Sequence, residues 1–167
     1  QPLPAGEGLA AHYARMRQMA PSRMSLEAGA HAGLGLPRYV RATSPLRRYG
    51  DCLVHQQLHA LLDGRAPIAE AELSLRLALG NEAAARIRKA ERQANRHWTL
   101  VHLLGQPGWR GRAVVVEVGE RTSWVIIPEL ALQVPMRLPD PQPDQELTVA
   151  VQEIDLARQE LRLRRLS

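Results

Sequence analysis

Apolar residues recur at three- and four-residue intervals along the first two-thirds of the chain, then change to alternation. Leu9, Tyr13, Met16 and Met19 keep the helical spacing and predict a helix over 9–19. The glycines of Gly29–Leu36 (GAHAGLGL) are too dense for a helix and predict turned backbone. A second helix is expected to start with Ser44 as its cap and Pro45 in its first turn, and to end at Gly64. Leu46, Tyr49, Leu53, Leu58, Leu61 and Leu62 supply its apolar face. Two more helices follow, one near Ala69–Leu79 and a long one capped by Asn81 and stopped by Gly105 and Pro107. The long helix carries the stripe Ile87, Ala90, Ala94, Trp98 and Val101, with Arg86, Arg88, Arg92 and Arg96 on its exposed side.

After Pro107 the period becomes that of strands. Strands are expected over Arg112–Val118, Thr122–Ile127, Gln133–Arg137, Glu146–Ile154 and Glu160–Arg164, with Gly119–Glu120 as a turn. So many short strands in so few residues predict a small OB-type barrel. The fold class is therefore α+β, a helical part at 1–106 and a five-stranded OB-fold β-barrel at 107–167, with the boundary near Leu104–Trp109.

Composition narrows the partners. The chain has 167 residues, 45% hydrophobic and 23% charged, which suits a globular protein. No apolar run approaches the roughly 18–20 residues that span a bilayer, and the start QPLPAGEG lacks the pattern of a signal peptide. Those first eight residues, rich in Pro and Gly, read as the middle of a longer chain. Cys52 is the only cysteine, so no intramolecular disulfide or cysteine metal cluster is possible, and a cytoplasmic setting fits. The net charge is +5, and Lys89 is the only lysine among 22 basic residues. Arginine presents a fork that suits phosphate, so nucleic acid is one partner these charges fit; an ordinary solvated surface is the other.

Thr43 to Asp51 is the segment with candidate chemistry. If the helix starts at Ser44, Arg47 and Arg48 fall in its first turn, where the dipole disfavours cations by about 0.3–1 kcal/mol each. A phosphate there would satisfy free N–H groups, the Thr43 and Ser44 hydroxyls and both guanidinium groups. The competing arrangement pairs Arg48 with Asp51 three residues on and Arg47 with Asp51 at four, each worth about 0.2–0.5 kcal/mol.

The stretch YVRATSPLRRYGD, with His31 and Gly33-Leu34-Gly35-Leu36 before it and His55 after it, resembles the last block of the ribonuclease II / ribonuclease R catalytic domain. Ala90-Glu91-Arg92 resembles a later element of that family, and the β segment stands where the family carries an RNA-binding domain of the ribosomal-protein S-one type. The resemblance implies processive 3′-to-5′ hydrolysis of single-stranded RNA to 5′-nucleoside monophosphates, with two Mg²⁺ ions activating water. By position, Arg47 would meet the phosphate beside the scissile bond, with Arg48 the second choice. Thr43, Ser44 and Arg48 would bind RNA beside it, and Glu91 would lie near the RNA 3′ end. In the barrel, Arg110, Arg112 and Arg121 would hold RNA by salt-sensitive contacts, and Trp124 either stacks a base or packs the barrel.

The sequence departs from the family in one respect that matters. Asp51, Asp63, Asp140, Asp144 and Asp155 are scattered, whereas the family's metal-binding aspartates form a tight upstream cluster. The Mg²⁺ ligands are thus expected outside this chain, in a missing N-terminal part of the same protein, and the chain alone is expected to be inactive. Ala32 also stands where the family usually has Phe. The rival readings are a catalytically inactive RNA-binding protein of the same fold and a domain whose arginines contact an acidic protein. His55 and His59, four apart, lack a third metal ligand nearby and are expected to pack or cap; Cys52 has no base beside it. Trp98 is expected in the core and Trp109 at the junction of the two parts.

Overall fold

A computed structural model describes residues 6–19 and 24–166. Positions 1–5, most of the Pro- and Gly-rich start, lie outside the described residues. Packing divides the chain into two compact units, Gln1–Ala20 with Glu91–Ser167, and Pro21–Ala90.

The first unit is built on strands β1 (Arg110–Glu117), β2 (Ser123–Ile127), β3 (Leu132–Met136), β4 (Glu146–Asp155) and β5 (Glu160–Arg165). All neighbours are antiparallel, in the order β3-β2-β1-β4-β5. The edge strands β3 and β5 also approach each other, so the sheet curls towards a barrel. Alternation explains the register: in β2, Ser123, Val125 and Ile127 point inward and are buried, while Trp124 points out. Val115, Val125, Ile127, Val134 and Val149 form the dry centre. Helix α1 (Leu9–Gln18) packs on β1, and the last turns of α3 (Glu70–Leu104) add Leu100 and Leu103 to the same core.

Two polar ties hold these helices. The Ala10 N–H donates to Asp144 Oδ1 at 2.7 Å, and Asp144 is in left-handed backbone (φ 61°). Arg96 Nε donates to the Gln159 carbonyl at 2.7 Å, closing a turn in which Gln159 is also left-handed (φ 56°).

In the second unit, α2 (Tyr49–Leu62) lies with the first turns of α3 and with the Gly29–Leu36 stretch. That stretch is turned backbone, as its glycines predict: a short 3₁₀ turn at Ala32–Leu34, a bridge between His31 and Leu36, and Gly35 at φ 64°.

Three expectations are corrected. The two helices expected on either side of Gly80 and Asn81 are one 35-residue helix. Gly80 is needed inside it because a Cβ there would lie 2.6 Å from Tyr49 Cδ1, so the glycine makes room for a ring and ends nothing. Trp98 is 66% exposed, not core, because Leu100 and Leu103 on another side of the helix take the sheet. Met16 and Met19 are likewise exposed, and Ala10 is the buried residue of α1.

Candidate functional site

The conspicuous polar cluster of the second unit surrounds Asp51. Its carboxylate is fully buried, yet it receives four hydrogen bonds. Oδ1 accepts from Arg41 Nε at 3.2 Å. Oδ2 accepts from the Ser44 N–H at 3.0 Å and from Arg48 through Nε at 2.9 Å and through Nη2. Burial pushes this carboxyl up, but the Ser44 N–H, Arg48 and Arg41 together outweigh it and hold it below the usual carboxylate range.

The helix does not start where the sequence suggests. Ser44 to Arg48 form a separate turn, the Ser44 carbonyl accepting from the Arg48 N–H at 3.0 Å, and Arg48 itself is extended (φ −128°, ψ 105°). Helix α2 begins at Tyr49, and Ser44 does not cap it. The residue in its first turn is therefore Asp51, whose negative charge the helix dipole favours. Arg47 and Arg48 stand just ahead of the helix. Of the two expected pairings, Arg48–Asp51 is present, whereas Arg47 contacts Ser44 and not Asp51.

Arg48 Nη2 also donates to Thr43 Oγ1 at 2.9 Å, so Thr43, Arg48 and Asp51 form one chain of contacts. Arg47 is exposed, and its Nη2 makes a long 3.5 Å hydrogen bond to Ser44 Oγ. One turn further along α2, His55 Nε2 is 2.7 Å from the Ala42 carbonyl and donates to it. Asp51 and His55 thus grip the backbone on both sides of Thr43. Arg41 additionally reaches Met24 Sδ at 3.6 Å, and Gly50 leaves room for that thioether: a Cβ there would lie 2.2 Å from the sulfur.

The turn thus gathers Thr43, Ser44, Arg47 and Arg48. Glu91 is exposed on α3. On the sheet, Arg110 and Arg112 share the exposed face of β1 and line a shallow groove with Glu146, Leu147 and Thr148. Arg112 is paired there with Glu146. Trp124 lies opposite Glu117, at the other end of β1 from Arg110, and Arg121 lies in the β1–β2 connection. These residues do not form one patch: at about 3.3 Å per residue, the ends of β1 are over 20 Å apart. Trp124 is 37% exposed on the outer face and does not pack the interior. Trp109 packs against the sheet core and across Gly111, where a Cβ would lie 2.3 Å from its ring.

Sequence reasoning did not find Arg41. It sits ten residues before Asp51 with no helical or strand spacing between them, so only the folded loop brings the two together. Among the described residues, no group of three or more His, Cys, Asp or Glu is placed to hold a metal ion, and no helix is long and apolar enough to cross a membrane.

Residues 9–64 match the RNB domain family, and residues 109–166 match the RNase II-type exonuclease C-terminal S1 domain family. An uncharacterized ribonuclease of Synechocystis is 32% identical over 155 residues, covering 90% of this chain and 23% of that protein. The chain therefore spans about a quarter of the length of that relative. Two solved structures share the fold. The Dss1 exoribonuclease of Candida glabrata, an active-site mutant, superposes with a TM-score of 0.80 at 22% identity, over 93% of this chain and 21% of that one. Mycoplasma genitalium RNase R in complex with ribose-methylated single-stranded RNA gives 0.78 at 18% identity, over 94% and 29%.

Proposed function

This chain belongs to the ribonuclease II family, and on that premise we propose that it supplies the phosphate-binding side of a 3′-to-5′ exoribonuclease acting on single-stranded RNA. The observation that carries the proposal is the contrast between neighbouring arginines. Arg41 and Arg48 are taken by a buried carboxylate, whereas Arg47 is exposed and has no acidic partner among the described residues. Its guanidinium projects from a turn whose backbone is tied at Ala42, Ser44 and Arg48.

A guanidinium presented from such a turn can bind the non-bridging oxygens of a phosphate through two N–H groups. It contributes most when negative charge builds up on those oxygens during attack by water. Ser44 Oγ, beside Arg47, offers a further donor to the same group. The family implies Mg²⁺, which activates water when bound. Its carboxylate ligands, in this reading, come from elsewhere in the longer protein, as the family resemblance implies. In this reading the chain by itself does not cleave RNA. The curled sheet acts as the RNA-holding module, through Arg110, Arg112 and Arg121 with Trp124 as a stacking surface.

The test is Arg47→Ala in the longer protein. The single-turnover rate should fall by about 10²–10³, while affinity for an RNA oligonucleotide changes only a few-fold. Equal losses in both would make Arg47 a binding residue and no more. RNA binding with no nucleotide release by the unsubstituted protein would identify an inactive member of the fold.

A further inference from the structure

We propose that Asp51 and His55 are positioning residues for Arg47, acting as a two-point clamp on the turn that presents it. This rests on the phosphate-binding reading of Arg47. Asp51 and His55 are four apart on α2, so their side chains leave the same side of the helix. They take hold of consecutive parts of the same loop: His55 Nε2 holds the Ala42 carbonyl at 2.7 Å, and Asp51 Oδ2 holds the Ser44 N–H at 3.0 Å. The peptide units on both sides of Thr43 are therefore referred to one rigid helix. Arg47 follows three residues after Ser44, in a turn closed by the Ser44 carbonyl.

Asp51 has a second effect, which is selection. Three arginines, Arg41, Arg47 and Arg48, lie within eight residues, and any of them carries the charge a phosphate wants. The carboxylate binds two of them and leaves one. Without it, Arg48 and Arg41 would be free to meet the phosphate in other geometries, so RNA would still bind but in less productive positions. A misplacement of about 1 Å can lower a rate by about a hundredfold without removing a reacting group.

The experiment is a cycle in the longer protein, measuring single-turnover rate and RNA affinity per folded molecule. Asp51→Asn should lower the rate by about tenfold to a hundredfold and leave affinity unchanged or tighter. Combined with Arg47→Ala it should add nothing beyond Arg47→Ala alone, because both act through one guanidinium. Losses that multiply in the double variant, or a full rate in Asp51→Asn, would overturn the clamp. If Asp51→Asn does not fold, His55 decides: His55→Leu, which cannot donate to Ala42, should be slower by about threefold to tenfold, and His55→Gln, which can, should recover most of the rate. A folded His55→Leu of full rate, or a His55→Gln as slow as it, would also overturn the clamp. An Arg47→Ala variant of unchanged rate is a different result: it removes the phosphate-binding reading, and the clamp with it.

Discussion

Arg48 Nε donates to Asp51 Oδ2 at 2.9 Å, and the carboxylate it meets has no exposure to solvent. A buried carboxylate with this many donors is a fixed part of the fold. Asp51→Asn removes the negative charge and turns one of the two acceptor oxygens into an NH2 donor, so the guanidinium groups lose their counter-charge and part of the acceptor set is lost. Breaking a fully buried pair costs about 3–5 kcal/mol. Here Arg41 is 37% exposed and Arg48 24%, and solvent compensates in part. Asp51→Asn should therefore lower the unfolding free energy by about 2–3 kcal/mol, read from a shift in urea midpoint. A loss under about 0.5 kcal/mol, as for an exposed pair, would contradict the buried arrangement.

The same carboxylate sets a dependence on pH. Its acidity in the folded chain is stronger than the unfolded value of about 3.9. For such a group the stabilisation is complete above the unfolded value and is lost as pH falls through the folded one. Thermal midpoints should hold steady from neutrality down to about pH 4 and then drop, and the drop should be shallower in Asp51→Asn. Equal slopes for the two proteins below about pH 4 would assign the acid sensitivity to other groups.

Gly80 gives a prediction of unusual sign. In an exposed helix interior, glycine to alanine gains about 1 kcal/mol. At Gly80 the added methyl would run into the Tyr49 ring, and overpacking of this kind costs about 1–3 kcal/mol. Gly80→Ala should therefore destabilise the protein, yet stabilise a Tyr49→Ala background. Stabilisation in both backgrounds would mean that the ring does not occupy that space.

On the sheet, the arginines should differ in their response to salt. Each phosphate that the protein ceases to neutralise lowers the slope of log affinity against log salt by about 0.7–1. Arg110 and Arg121 have no acidic partner among the described residues, whereas Arg112 is paired with Glu146. Arg110→Ala and Arg121→Ala should each flatten the slope by about that amount, and Arg112→Ala by less. Three equal changes would show that Glu146 does not hold Arg112 back.

Where burial and local periodicity agree, the sequence is a good guide. The five strands lie within two residues of their expected bounds: buried and outward residues alternate in β2, β3 and β5, and β1 is marked by the apolar run Ala113–Val116. The helical part is less legible, because its apolar stripes do not report burial here. Leu46, Leu61, Leu62 and Trp98 are exposed, and Leu46 is not in the helix assigned to it. The start of α2 is hard to read because Ser44-Pro45 is an equally good start for an isolated turn, and what decides between them is Asp51, seven residues on. The Arg48–Asp51 pair is open to sequence reasoning at its spacing of three; the Arg41 contact is not, since it depends on the path of a loop.

The hydrogen bond from Ala10 to Asp144 bears on how such a protein could be recombined. Ala10 falls within the RNB match, and Asp144 within the S1 match. The first helix of one homology segment is thus capped by a loop of the other, within a single packing unit. Replacing the C-terminal segment with one that lacks an acidic residue at this position would take away the acceptor for that helix.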